Sequence, residues 1–257
     1  MTLHAVLWDV DGTIAETERD GHRVAFNEAM REHGIARRWD AQHYGELLAV
    51  AGGLERLLAD MHQDGQTFAG QWPRNLTQTD QYQLACSIHT RKNELYRDLL
   101  DKGRLAVRPG VLRLMTACQQ AKVAQAIVTT TSATNVDALL SRMFDPNWAG
   151  RFAAVVCAED APRKKPDPQA YLEALSRLQC SSQDALAIED SPNGLAAARA
   201  AGLCTLVTPS VYFSHEEFDD ASLTCVDLNH LTGFSSARSR LVTLDSLRAL
   251  HRRWHHA

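Results

Sequence analysis

The 257-residue chain lacks most of the features that would place it outside ordinary globular proteins. No uninterrupted apolar run approaches the ~18 residues of a membrane-spanning helix, so no membrane partner is expected. The opening Met1-Thr2-Leu3-His4 has neither the basic stretch nor the apolar core of a secretory signal, which predicts a cytoplasmic protein. Its 14 glycines and 8 prolines are too few for a linker-rich or collagen-like chain. The net charge is only −4 and the basic residues are scattered, so there is no electrostatic footprint for nucleic acid. None of the six cysteines (Cys86, Cys118, Cys157, Cys180, Cys204, Cys225) forms a C-x-x-C pair, which excludes the usual zinc spacings. They read as small buried hydrophobes of a reducing compartment. The histidines show no H-E-x-x-H spacing, and His255 and His256 read as a solvated tail.

What is present is a series of short apolar runs: Ala5–Trp8, Ala126–Val128, Ala153–Val156, Ala185–Ile188 and Thr205–Val207. They are apolar without alternation, as strands buried on both faces are, and helical patterns separate them, which predicts an α/β fold with a doubly wound, Rossmann-like parallel sheet. Leu112-Met115-Cys118 and Tyr171-Leu172-Leu175-Leu178 mark two of the helices. A third, over 192–202, carries Ser191 as cap, Pro192 in the first turn and Gly202 as terminator.

Between the first and second runs lie far more residues than one crossover needs. Three helical patterns fill the interval, one on His22, Ala25, Phe26, Ala29 and Met30, one on Leu54, Leu57, Leu58 and Met61, and one on Leu84, Ile88, Leu95 and Leu99. The expected organisation is a core of residues 1–16 and 103–257, with an all-α cap inserted at 17–102. Residues 64–80, with Gly65, Gly70 and Pro73, read as a loop within the cap. Leu244, Leu247, Leu250 and Trp254 predict a docked closing helix.

Chemistry concentrates where the strands end, which is where ligands bind in such sheets. The first strand runs into Asp9-Val10-Asp11-Gly12-Thr13, two carboxylates across one turn that suit a hard cation and a nucleophile. A calcium loop fails, because its glycine would fall at Ile14 and its bidentate glutamate at Asp20. The second strand ends in Thr129-Thr130-Thr131-Ser132, a set of hydroxyls and amides for an oxyanion. Arg163-Lys164-Lys165-Pro166 offers a cation for phosphate oxygens, and Glu189-Asp190-Ser191 two further carboxylates. Each alone also fits a turn or a helix cap; their complementary types at successive strand ends argue for one site.

The order Asp-x-Asp-Gly-Thr, strand-end hydroxyl, Lys-Pro and Glu-Asp-Ser-x-x-Gly resembles the haloacid dehalogenase superfamily, the insert standing where that superfamily carries its first type of cap. Within it the chain looks most like the CbbY-like phosphatases and then β-phosphoglucomutase. The stretches 16–18 through 25–27, Gly52-Gly53-Leu54-Glu55-Arg56 and Thr90-Arg91-Lys92-Asn93-Glu94-Leu95-Tyr96 carry that likeness. The resemblance implies a Mg²⁺-dependent phosphatase acting on a small phosphorylated sugar, xylulose-1,5-bisphosphate if the likeness extends to substrate, with a sugar phosphomutase as the alternative. It further implies Asp9 as nucleophile, Asp11 as general acid and base, Thr129 or Thr130 as phosphoryl ligand and Lys165 as cation. Asp9, Asp11 (through its carbonyl), Glu189 and Asp190 would form the Mg²⁺ site. Glu16, His22, Gly53, Arg56, Arg91, Lys92 and Thr130 would contact substrate. Leu54 departs from the lysine that family members commonly carry there. A monomer is expected.

Overall fold

The computed structural model describes residues 2–67, 71–73, 75–103, 105–230 and 241–255; Met1, Gly70 and His256 lie outside them. The chain divides into two compact units, Met1–Glu16 with Ala106–Ala257, and Thr17–Leu105.

The first unit is built on a parallel sheet of strands β1 (Ala5–Trp8), β2 (Ala124–Val128), β3 (Ala154–Val156), β4 (Ala185–Glu189), β5 (Cys204–Val207) and β6 (Leu223–Thr224), in the order β3-β2-β1-β4-β5-β6. The chain leaves β1 toward one edge and returns through β4 toward the other, so the strand order reverses between β1 and β4 and opens a crevice at their carboxyl ends. Register fixes what faces that crevice. Trp8 pairs with Ile188 on one side and Ile127 on the other. Asp9 therefore emerges beside Glu189 and one step from Thr129.

Small residues let the helices approach the sheet. Ala5, Leu7, Ala126, Val128, Ala185 and Ala187 pack against Ala170, Tyr171 and Ala174 of α7 (Gln169–Leu178) and against Ala197 and Ala198 of α8 (Pro192–Ala200). Helices α5 (Val111–Gln120) and α9 (Leu244–Trp254) pack on each other, α5 also on β2 and α9 on β4 and β5. Burying Leu244, Leu247 and Leu250 of α9 contributes about 1.5–3 kcal/mol each. Helix α6 (Ala133–Met143) follows β2. The helix over 192–202 forms as expected, with the Ser191 hydroxyl accepting from the Gly194 N–H at 3.1 Å and Gly202 at φ +77° just past its end.

The second unit is helical, with α1 (Arg23–Glu32) entered through a π-helical turn at Glu18–His22, then α2 (Ala41–Leu47), α3 (Gly53–Thr67) and α4 (Gln78–Asp101). Phe26, Trp39, Tyr44, Leu57, Ile88 and Tyr96 are buried within it. Asp60 is buried among them and accepts from Arg37, Trp39, His43 and Trp72 at 2.7–3.1 Å. Burial raises the Asp60 carboxyl, but the bonds from Arg37, Trp39 and His43 outweigh it and hold the group below its ordinary 3.8.

Four expectations change. Residues 64–80 are only partly loop, because α3 continues to Thr67 and a Thr77–Asp80 capping box starts α4 at Gln78. Strand β6 and helix α2 escape a periodicity reading, being two and seven residues long. Cys86 and Cys180 are only half-buried, while the other four cysteines are buried. His255 is half-buried, its Nε2 lying 3.3 Å from Nε2 of the buried His251 one helical turn earlier. Among the described residues no helix is long and apolar enough to cross a membrane.

Candidate active site

Asp9 is the first residue beyond β1, its N–H donating to the Ile188 carbonyl at 3.1 Å. The loop then folds on itself through Gly12 N–H to the Ala15 carbonyl (2.7 Å) and Ile14 N–H to the Val10 carbonyl (2.9 Å). Gly12 has φ +92°, and a Cβ there would lie 2.1 Å from Asp190 Oδ2, so backbone and space both demand glycine.

Lys165 reaches the same point from the loop after β3. Its ammonium is buried and spends all three donors, on Asp9 Oδ1 (2.7 Å), Glu189 Oε1 (2.6 Å) and the Val128 carbonyl (2.9 Å). Burial alone would lower its pKa, but Asp9 and Glu189 outweigh that and raise it. Glu189, at the end of β4, is fully occupied. Its Oε1 also accepts from the Tyr171 hydroxyl and its Oε2 from the Asp190 N–H. A Cβ on Gly194 would lie 1.9 Å from Glu189 Oε2, so the glycine lets the first turn of α8 close over this carboxylate.

Asp9, Glu189 and Asp190, all buried, each offer an oxygen, and these lie within 4.8 Å of one another. Burial, followed by the charges of Asp9 and Glu189, raises Asp190 well above its ordinary value, opposed by Ser210 and Arg108. Asp9 is pushed up to about 7, by burial first and against the pull of Lys165. Three buried carboxylates around one ammonium leave an excess of negative charge in a low-dielectric pocket, which a divalent cation bound by oxygen ligands would neutralise. The donor set is all carboxylate and carbonyl oxygen, which suits Mg²⁺ better than a softer metal.

Asp11 stands outside that trio, its Oδ2 accepting from the Thr131 hydroxyl at 2.5 Å. Thr129 is buried at the end of β2 and its Oγ1 accepts from the Thr131 N–H at 3.1 Å; Thr130 is half-buried. The third threonine of the run, which the sequence did not single out, is thus the one that touches Asp11. Two more residues were missed. Ser210 is buried beside Asp190 and favours its charged form, and the buried Arg108 bridges loops around it. No local pattern marks either.

The remaining expected residues fall in separate places. Glu16 pairs with Arg108 (3.4 Å) and accepts from the Val211 N–H (3.5 Å) in the first unit. In the second unit the His22 ring stacks on Tyr96 at 4.1 Å between centroids, and Lys92 Nζ lies over Phe26 (4.8 Å) and Tyr96 (5.5 Å). A Cβ on Gly53 would crowd His89 and Phe26. Arg56 donates to the Val50 carbonyl (3.1 Å) and the Tyr44 hydroxyl (3.0 Å), and that hydroxyl in turn donates to Glu18 at 2.5 Å. Arg91 is not brought to this cluster. It lies on the exposed side of α4, paired with Glu32 and Glu94 at 2.6 Å each, because adjacent helical positions do not share a face.

Comparison with known proteins places the chain in a family. Residues 3–202 match the haloacid dehalogenase-like hydrolase family. The plasmid-borne protein CbbY of Cupriavidus necator is 40% identical, over 99% of this chain and 97% of its own. A crystal structure of Rhodobacter sphaeroides CbbY, an Asp→Asn variant in complex with xylulose-1,5-bisphosphate, has a TM-score of 0.78 at 36% identity, covering 88% of this chain and 95% of that one. Clostridium difficile β-phosphoglucomutase shares the fold, with a TM-score of 0.73 at 17% identity over 100% of both chains.

Proposed function

Since the chain belongs to the haloacid dehalogenase-like hydrolases, and within them is CbbY-like, we propose that it is a Mg²⁺-dependent phosphatase that cleaves a small phosphorylated sugar through an aspartyl-phosphate on Asp9. The observation that carries the reading is the buried Asp9–Lys165–Glu189 ion cluster beside Asp190, at the crevice where the strand order reverses. Mg²⁺ held by Asp9, Asp190 and the Asp11 carbonyl, with Glu189 beside it, would neutralise phosphoryl oxygens; charge stabilisation and positioning are what phosphoryl transfer needs most.

An Asp9 carboxylate oxygen attacks phosphorus as the bond from phosphorus to the sugar oxygen breaks. The leaving oxygen takes a proton from the Asp11 carboxyl, which is then a carboxylate. Water attacks the aspartyl-phosphate, Asp11 takes its proton, and inorganic phosphate and free Asp9 are released. Lys165 neutralises charge on the transferring group, and Thr129, with Thr130 the neighbouring alternative, donates a hydroxyl to it. Glu189 fixes the Lys165 ammonium. Asp11 is stored on the Thr131 hydroxyl until it is needed.

Glu16, His22, Gly53, Arg56 and Lys92 are the proposed substrate contacts. The last two cations suit a second phosphate, supported by the relative that binds xylulose-1,5-bisphosphate. Arg91 is left out, since it does not share the buried face of α4 that carries Lys92.

The test is release of inorganic phosphate with Mg²⁺ from a panel of sugar mono- and bisphosphates. Xylulose-1,5-bisphosphate should be the best substrate, and Asp9→Asn should lose at least about a thousandfold in kcat. Full activity of Asp9→Asn, or conversion of β-glucose 1-phosphate to the 6-phosphate without phosphate release, would overturn it.

A further inference from the structure

Asp190 lies between two loops that come from opposite ends of the first unit. On one side is Gly12, pressed so close that a Cβ would lie 2.1 Å from Asp190 Oδ2 and 3.0 Å from the Ser210 Cβ. On the other is Ser210, buried, whose Cβ bounds the same space and whose side chain favours the charged form of the Asp190 carboxylate. The Ser210 loop is itself tied to β4, since the Thr208 N–H donates to the Glu189 carbonyl at 2.7 Å.

One side chain joins these loops. Arg108, just ahead of α5, is 9% exposed. Its guanidinium donates to the Gly12 carbonyl, to the Thr208 carbonyl (2.6 Å) and hydroxyl (3.2 Å), and to the carbonyls of Pro209 (2.8 Å) and Val226 (3.4 Å). Its backbone N–H donates to the Ile14 carbonyl at 2.7 Å. Four of its targets are main-chain oxygens in three separate segments, a pattern that a planar fork of donors can satisfy and a lysine cannot. It also forms an ion pair with Glu16, at 3.4 Å.

We propose that Arg108 and Ser210 are positioning residues for the divalent-cation site: Arg108 locks the Asp9–Gly12 loop to the Thr208–Ser210 loop, and Ser210 aims the Asp190 carboxylate between them. Neither residue touches the reacting atoms. Both act on the orientation of a ligand, as partners of metal-bound carboxylates do when they raise affinity by about 10–100-fold. The proposal rests on the cation reading given above.

The experiment titrates Mg²⁺ into the substrate-free protein by calorimetry, with Mn²⁺ and its spin-resonance signal as a second probe, for the parent, Ser210→Ala, Arg108→Lys and Arg108→Gln. Ser210→Ala should bind either ion about tenfold or more weakly, with its melting temperature near the parent's. Arg108→Lys should weaken binding in the same way. In turnover, both variants should lose kcat at low Mg²⁺ and regain most of it at high Mg²⁺, with little change in KM for the sugar phosphate. A residue that merely stabilises the fold would lower the melting temperature and leave the Mg²⁺ dependence in place. Should Arg108→Gln not fold, Ser210→Ala and Arg108→Lys decide the matter. If they fold and bind both ions as the parent does, the proposal is wrong. A parent that binds Mg²⁺ yet releases phosphate from no sugar phosphate overturns the substrate reading and leaves this proposal standing.

Discussion

Gly194 shows how tightly single residues are specified around the Lys165 ammonium. In an exposed helix, replacing glycine with alanine stabilises by about 1 kcal/mol. In the first turn of α8 the added methyl would overlap the Glu189 carboxylate, which holds Lys165, which in turn holds Asp9. Gly194→Ala should therefore lower kcat/KM by at least about tenfold, given that a 1 Å misplacement can cost about a hundredfold. It should also lower the melting temperature, since overpacking costs about 1–3 kcal/mol. Steady-state kinetics and a thermal melt check both. An alanine variant that is as active as the parent and more stable would mean that Glu189 can move without disturbing Lys165. Asp9, Glu189 and Asp190 were legible in the sequence because each sits at the end of an apolar strand, whereas Lys165, nine residues beyond β3, and Gly194, inside α8, were singled out by the family motif. Thr131, Arg108 and Ser210 were not, because what makes them matter is convergence: Arg108 meets Gly12 and Thr208 from about a hundred residues away in each direction, and no local period encodes that.

At the scale of elements, long periodic segments were readable and short or polar ones were not. Strand β1 and helices α5 and α7 follow from apolar patterning, whereas α2 depends on a single cap, the Asp40 carboxylate accepting from the His43 N–H at 2.8 Å. The helices of the second unit are also joined by a feature that patterning treats as a mistake, the buried carboxylate of Asp60 on α3. It draws in Arg37 and Trp39 from the segment after α1, His43 from α2, and Trp72 from beyond α3. Breaking a buried ion pair by removing one partner's charge costs about 3–5 kcal/mol, so Asp60→Asn should destabilise the second unit by about that amount at neutral pH. The pH dependence has a definite sign. The folded carboxyl lies below its ordinary 3.8, so its stabilisation is complete above 3.8 and is lost as pH falls through the lower folded value. The stability gap between parent and Asp60→Asn should therefore be constant from neutrality down to about pH 5 and shrink in stronger acid. Denaturant unfolding at a series of pH values measures it. A gap that is equally wide at all of them would show that Asp60 titrates alike in the folded and unfolded chains.

For the whole molecule the decisive quantity is the small net charge of −4. A phosphorylated sugar is itself an anion, so the long-range field does not draw it in and weakly opposes it. On the function proposed above, attraction comes from placed groups acting at short range: Lys165, Arg56, Lys92 and a cation that Asp9 and Asp190 would hold. Lys165, Arg56 and Lys92 are all buried, where added salt screens poorly, whereas the outer field is cut off beyond a Debye length of about 10 Å at 0.1 M salt. The two regimes predict opposite salt responses. An enzyme that gathers its substrate with a protein-wide positive field loses kcat/KM steeply as ionic strength rises. Here kcat/KM for a sugar bisphosphate at saturating Mg²⁺ should stay within about threefold between roughly 0.02 and 0.2 M salt, and any drift should be upward as the repulsion is screened. A sugar monophosphate, with less charge to repel, should drift less. Initial rates along a salt series for the two substrates would measure both slopes. A fall of an order of magnitude with the bisphosphate would mean that exposed cations gather the substrate, and that the buried ones are engaged only after it has arrived.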